Sequence, residues 1–160
     1  MKAVYATGTN YDDPLSVLEV GTMPEPETKP FWSTIRVNSA SVNHHDVWSL
    51  QGVGLSDEQT PMILGTDAAG VLEEDIPVRK GLKAGSEVVL YTFVGTDGAG
   101  VMPGERRSIL SERYAGTMAE CTQVPSANVF AKPANLNLDE AAALVPAGLP
   151  HIPCCSHRRM

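Results

Sequence analysis

Four consecutive residues, Asn43-His44-His45-Asp46, hold the densest chemistry in the chain. Two imidazoles beside a carboxylate admit three readings. They could ligate a metal, since imidazole and carboxylate both bind zinc. A histidine could move protons, because its pKa lies near neutrality. Or the run could open a helix, with Asn43 or Asp46 capping the first backbone N–H groups. Adjacent residues point apart, so His44 and His45 make an awkward ligand pair. A second polar point, Gly65-Thr66-Asp67, interrupts an apolar run. Asp67 there reads equally well as cleft lining or as an acceptor inside a turn. Trp48 and Tyr91 could wall an aromatic pocket, although core packing suits them better. Cys121 falls in a strand pattern and reads as an inert buried thiol.

These groups need a scaffold. KAVYA, LSVLEVG, STIRVNSASVN, PMILGTDAAGVLEE, GSEVVLYTFVG, MAECTQVP and NVFAKP read as strands from their β-branched content and alternation. The strongest is GSEVVLYTFVG. Val88, Leu90, Thr92 and Val94 fall on one face, and Val89, Tyr91 and Phe93 on the other. Residues 46–52 predict a short helix stopped by Gly52. LDEAAALVPAGL predicts the start of another, with Asn137 as N-cap and Glu140 completing a capping box. The 14 glycines and 12 prolines cut the chain into turns, which favours short strands over a helical bundle. The expected structure is mainly β, a rolled sheet with short peripheral helices. A doubly wound nucleotide fold would need helices of about 10–15 residues between the strands, and the pattern lacks them. The Gly-rich stretch at residues 95–105 follows a strand. It misses the GxGxxG spacing, and Pro103-Gly104 stand where a helix would have to continue, so it reads as a surface loop rather than a phosphate cradle.

A chain of 160 residues suits one domain with a short tail. Net charge is −7, and basic residues cluster no further than pairs such as Arg158-Arg159, so no nucleic-acid surface is expected. No apolar run approaches the roughly 20 residues of a membrane span, and the N-terminus lacks the features of a signal peptide. Three cysteines, Cys121, Cys154 and Cys155, make a poor disulfide framework. The expected location is cytoplasmic.

Taken in order, ASVNHHDVWSLQGVG, PMILGTDAAGV, KAGSEVVLY, AGTMAECTQVPSANVFAKPANLNLDEAAAL and PAGL resemble the N-terminal half of medium-chain dehydrogenases/reductases, the superfamily of alcohol dehydrogenases and quinone oxidoreductases. The resemblance covers residues 1–150. It implies a GroES-like fold, a distorted β-barrel with peripheral helices, forming one wall of an active-site cleft. The other wall in that family is a Rossmann domain carrying NAD or NADP. Zinc-dependent members place a Cys where this chain has Asn43 and a His where it has Thr66. Neither replacement is a zinc ligand. The segment matching the family's structural-zinc lobe, residues 92–114, holds no cysteine. The resemblance therefore implies the zinc-independent, quinone-oxidoreductase-like branch, with no metal site. It places Asn43 and His44 beside the cofactor, with His44 near its pyrophosphate. His45 falls at a proton-relay position and Asp46 at one that organises the cleft, so these two are the catalytic candidates. Trp48, Thr66, Asp67 and Tyr91 are the candidate substrate lining.

Residues 151–160, HIPCCSHRRM, leave the resemblance. Read one base later, codons for this string can encode Thr-Tyr-Arg-Ala-Val-Leu-Thr-Ala-Gly, which is similar to the family's next helix. A frameshift after Pro150 that truncates a longer reductase is therefore expected. Its substrates would be quinones, enones or carbonyls reduced by NAD(P)H, and the chain alone is expected to bind no nucleotide and to be inactive. Its uncovered interdomain surface, around residues 141–149, is expected to favour self-association. Two alternatives stay open: a non-catalytic binding module of GroES type, and a small metal-binding protein using His151, Cys154, Cys155 and His157.

Overall fold

Alternating apolar residues build the sheets, and glycines decide where the sheets break. The computed structural model describes residues 1–76, 81–95 and 107–144. Strands β1 (Lys2–Ala6), β2 (Leu18–Thr22) and β3 (Trp32–Ser39) come first, then helix α1 (His44–Leu50). Next are β4 (Met62–Ile63), β5 (Ala69–Leu72), β6 (Glu87–Leu90), β7 (Phe93–Val94) and β8 (Ser108–Ile109). The chain continues through β9 (Cys121–Pro125), β10 (Val129–Ala131) and helix α2 (Leu138–Ala142). One sheet runs β2-β1-β4, a second β10-β6-β5-β3-β9, and β7 pairs with β8. Every pairing between these strands is antiparallel, so the mainly β expectation holds. No helix among the described residues is long and apolar enough to cross a membrane.

The alternation of GSEVVLYTFVG holds through its whole length. Val88, Leu90, Thr92 and Val94 are fully buried, and Phe93 on the other face is exposed. The hydrogen-bond ladder does not run through, and the expected single strand becomes β6 and β7. The buried Asn128 amide causes the break, donating to the carbonyls of Tyr91 at 2.9 Å and Phe93 at 2.8 Å. Around Val88, Leu90 and Val94 gather Ile35, Leu72, Leu110, Val124 and Val129. Each such side chain contributes about 1.5–3 kcal/mol on burial. The antiparallel pair β7–β8 includes a strand, β8, that the sequence pattern does not reveal.

PMILGTDAAGVLEE likewise forms two strands, β4 and β5. The backbone leaves the first at Gly65, whose φ is +96°, a value side-chain-bearing residues rarely adopt. Residues 63–65 pair instead with 116–118: Gly116 N–H donates to Ile63 at 2.8 Å and Met118 N–H to Leu64 at 2.8 Å. That segment also borders β1, where Ala3 bridges Ala119, and then continues into β9. It therefore stitches the two larger sheets together. β3 stops at Ser39 after a register shift, earlier than the alternation suggests. LSVLEVG opens in a 3₁₀ turn, Pro14–Val17, before β2 begins. Helix α1 starts at His44, two residues before the expected point. The expected capping box of α2 is present: Glu140 N–H donates to the Asn137 side chain at 2.9 Å, and Asn137 N–H to the Glu140 carboxylate at 3.0 Å. Residues 96–105 of the Gly-rich stretch, and the tail at 145–160, lie outside the described residues.

Where β5 passes β3, a Cβ on Gly70 would fall on the Arg36 carbonyl oxygen. Gly70→Ala is therefore expected to cost about 3 kcal/mol, lowering Tm by roughly 6–12 °C in a domain of this size. Gly81→Ala is the control. Gly81 has φ +92° but nothing within 4 Å of a Cβ, so backbone conformation alone is affected and the cost is about 1 kcal/mol. Thermal unfolding of both variants checks this, and equal shifts contradict the close approach at Gly70.

Candidate active site

The sequence around residue 43 folds as a helix start because its polar side chains serve backbone N–H groups. Asn43 is the N-cap of α1, with extended φ −119° and ψ 157°. Asp46, in the first turn, reaches back to accept the Asn43 N–H at 2.7 Å. Its other oxygen accepts the Gly65 N–H at 3.0 Å. One carboxylate, 4% exposed, thus joins the start of α1 to the turn that follows β4. Burial pushes its pKa up. The bonds from Asn43 and Gly65 and the nearby His45 pull the other way without offsetting it.

The turn delivers Thr66 and Asp67, both fully buried, beneath Asn43. The Asp67 carboxylate accepts the Ser41 N–H at 2.7 Å, the Ser41 hydroxyl, and the Asn43 side-chain amide at 3.0 Å. The same amide lies 3.3 Å from the Thr66 hydroxyl. Ser41, Asn43, Thr66 and Asp67 therefore form one hydrogen-bonded knot. Of the two readings left open for Asp67, its contacts are those of a turn acceptor. Thr66 and Asp67, expected as substrate lining, sit behind Asn43, because the turn carries both side chains into the interior. Ser41 completes the knot although no motif pointed to it. Its signal was a hydroxyl residue just past a strand end and two positions before an N-cap.

His45 lies on the inner side of α1. Its Nε2 is buried with no hydrogen-bond partner, and the nearest carboxylate oxygen, on Glu112, is 3.7 Å away. Glu112 is held in turn: the Ser108 hydroxyl donates to its carboxylate at 3.2 Å and Gln59 to its carbonyl at 2.9 Å. Glu112 had no motif to announce it. His44 points outward and meets the Trp48 ring edge-on, centroids 6.0 Å apart. Trp48 is 49% exposed and so is not a core residue; two positions after the buried Asp46, it falls on the opposite side of α1. Tyr91 pairs with Phe93 at 5.8 Å and packs with Ala69, Val89, Ala141 and Ala142. Trp48 and Tyr91 thus have separate partners. Among the described residues, no three His, Cys, Asp or Glu side chains gather as a metal site.

Because burial raises the folded pKa of Asp46 above its unfolded value, the folded state holds that proton more tightly. The group's contribution to stability therefore falls as pH rises from the unfolded value, about 3.9, through the folded one. Compared with Asp46→Asn, whose side chain does not titrate, the wild type's relative stability should decline over that window and then level. Urea unfolding of both proteins across pH checks this, and a relative stability that grows with pH contradicts it. Asp46→Ala strips acceptors from two backbone N–H groups and is expected to cost about 3 kcal/mol.

The alcohol dehydrogenase GroES-like domain family matches residues 29–134, a span that includes α1, the Gly65 turn and the knot. Among solved structures, an NAD-dependent alcohol dehydrogenase is 34% identical with TM-score 0.75, over 91% of this chain and 43% of its own. A thermostable alcohol dehydrogenase from Pyrobaculum aerophilum, solved with cobalt and zinc bound, is 28% identical with TM-score 0.73, over 90% of this chain and 44% of its own. A quinone oxidoreductase from Coxiella burnetii shares the fold with TM-score 0.73 at 22% identity, over 98% of this chain and 44% of its own. The chain thus spans less than half the length of each. No curated protein sequence matches it. A family match across most of the chain, on an antiparallel roll shared with these enzymes, establishes that the chain belongs to the alcohol dehydrogenase GroES-like domain family of the medium-chain dehydrogenases/reductases.

Proposed function

We propose that this chain forms the substrate-side wall of a zinc-independent, NAD(P)H-dependent reductase acting on quinones, enones or carbonyls. The observation that carries the proposal is the knot. Asn43 and Thr66, at the two positions where the resemblance puts zinc ligands, are bonded to one another. The Asn43 amide presents N–H groups, which repel a cation, and the carboxylates of Asp46 and Asp67 are already committed to N–H and O–H donors. This donor set does not fit zinc.

The nicotinamide, held by the other half of the longer protein, supplies the hydride when bound. In this reading Thr66 and Asp67 act as positioning residues that fix Asn43. His45, with a buried and unpartnered Nε2, holds or delivers the proton that a reduced carbonyl or quinone oxygen takes up. The nearest carboxylate oxygen, on Glu112, lies 3.7 Å from that nitrogen. His44 faces solvent, where its ring N–H would meet the cofactor's phosphates, and Trp48 flanks the acceptor. Tyr91 is given no part, because it packs near α2.

The second half of the cleft has a surface to cover. Val42, Val47, Trp48 and Val53, in and around α1, are 81%, 40%, 49% and 54% exposed. Exposed apolar side chains grouped beside the candidate site suit a contact region. Of the interdomain surface expected around residues 141–149, Ala141 and Ala142 are buried within the domain and Leu144 is exposed, and residues 145–149 lie outside the described residues.

Sequencing the gene beyond codon 150, then assaying the longer product with NAD(P)H and a quinone with and without a zinc chelator, tests the proposal. Nucleotide-domain coding in another frame and chelator-resistant turnover are expected, with no turnover by the 160-residue chain alone. Absence of such coding in every frame, or turnover abolished by the chelator, contradicts it. In the longer protein His45→Ala should lower kcat by about 10²-fold with KM little changed, and an unchanged kcat removes His45 from the chemistry.

A further inference from the structure

A cavity of about 370 Å³ opens among residues distinct from the α1 corner, and its wall includes Met1, Met23, Met62 and Cys121 beside Trp32 and Tyr114. Strand register explains why sulfur collects there. β1 and β2 pair with Lys2 opposite Thr22. The ladder runs one residue further, since Met1 N–H donates to the Met23 carbonyl at 2.8 Å and Met23 N–H to that of Met1 at 2.9 Å. On the other side Ala3 bridges Ala119 in antiparallel sense, which sets Met1 beside Cys121, and their sulfurs lie 3.3 Å apart. Residues opposed across neighbouring antiparallel strands share a face, with Cβ atoms about 5 Å apart. Met23, Met1 and Cys121 therefore stand abreast on three adjacent segments, and all three side chains line the cavity.

We propose that this row is a binding site for a soft monovalent metal ion, Cu(I), held by the thioethers of Met1 and Met23 and the sulfur of Cys121. Two thioethers and a thiol select Cu(I), whereas hard cations prefer oxygen ligands. The electrostatics suit a cation. Glu25, Glu73 and Glu120 act on the Cys121 thiol, opposed by the Met1 amine, and Glu27 and Lys29 also border the cavity. The Lys29 ammonium is turned onto the Trp32 ring, 4.7 Å from its centroid. Burial first, and then Glu25, push the thiol's pKa up, so the empty site holds a neutral thiol. Cu(I) displaces that proton to solvent as the copper–sulfur bond forms, with no change of oxidation state. This corrects the sequence-based view of Cys121 as a buried inert thiol: it is half-buried and borders a cavity.

The test is an anaerobic Cu(I) titration of the full chain carrying Cys154→Ser and Cys155→Ser, which leaves Cys121 the sole thiol, against a chromogenic copper chelator. One equivalent should be retained, with a near-ultraviolet sulfur-to-copper charge-transfer band. Cys121→Ser and Met23→Leu should each weaken retention at least tenfold while the circular dichroism spectrum is unchanged. Affinity should rise close to tenfold per pH unit below the thiol pKa, because one proton leaves. The proposal is overturned if the chelator removes all the copper, if either substitution leaves retention unchanged, or if affinity is independent of pH. The first result would mean thioether packing alone, the ordinary gap-filling use of methionine, and the last would mean that the Cys121 thiol gives up no proton to the metal.

Discussion

The Asp46 carboxylate is the joint that the candidate site depends on. A buried charge is costly unless its lone pairs are filled, and here two backbone N–H groups from separate segments fill them. A seven-residue helix such as α1 is too short to persist by itself, so its start must be anchored from outside. Gly65 is the counterpart. Its φ of +96° turns the N–H toward Asp46, and a Cβ there would lie 2.6 Å from the Thr117 hydroxyl. The positive φ and the crowding both require glycine. Once this contact forms, Thr66 and Asp67 can only be delivered beneath Asn43.

The resulting corner is held together by hydrogen bonds. Asp67 gathers a backbone N–H, a hydroxyl and an amide, and the Thr117 hydroxyl donates to its carbonyl at 2.5 Å. A network with most of its members satisfied is stiff, because each bond in a low-dielectric interior is costly to lose. Under the proposed function this shapes the chemistry. Neutral donors and an imidazole polarise a carbonyl less than a Lewis-acidic ion does. Acceptors that are already electrophilic, such as quinones and enones, suit such a corner best. The exposed Val42, Val47, Trp48 and Val53 then belong to the same logic, since a cleft works only when its second wall excludes water.

The parts legible in the sequence were those with a local period or a local cap. Alternation assigned both faces of residues 88–94, and the Asn137–Glu140 spacing announced a capping box. Contacts between distant segments leave no such mark. Asn128 breaks a ladder 35 residues away, Gly116 occupies the strand position beside Ile63, and Glu112 faces His45 from 67 positions along the chain. Ser41 and Glu112 were missed for this reason. The burial of Thr66 and Asp67 was hidden too, because it depends on a turn whose conformation is decided by Asp46. Trp48 shows the reverse error: aromatic character suggests core packing, but its position on α1 leaves it half in solvent.

The most direct test of a metal-free corner is crystallographic. Crystals of the chain soaked in zinc and measured above and below the zinc absorption edge report where the ion lies. The hydrogen-bonded knot predicts no anomalous density within about 2.3 Å of the Asn43 and Thr66 side chains, with the Asn43 amide still donating to Asp67. Zinc density at that corner, with Asp46 or Asp67 released from its N–H donors to bind it, would contradict the account.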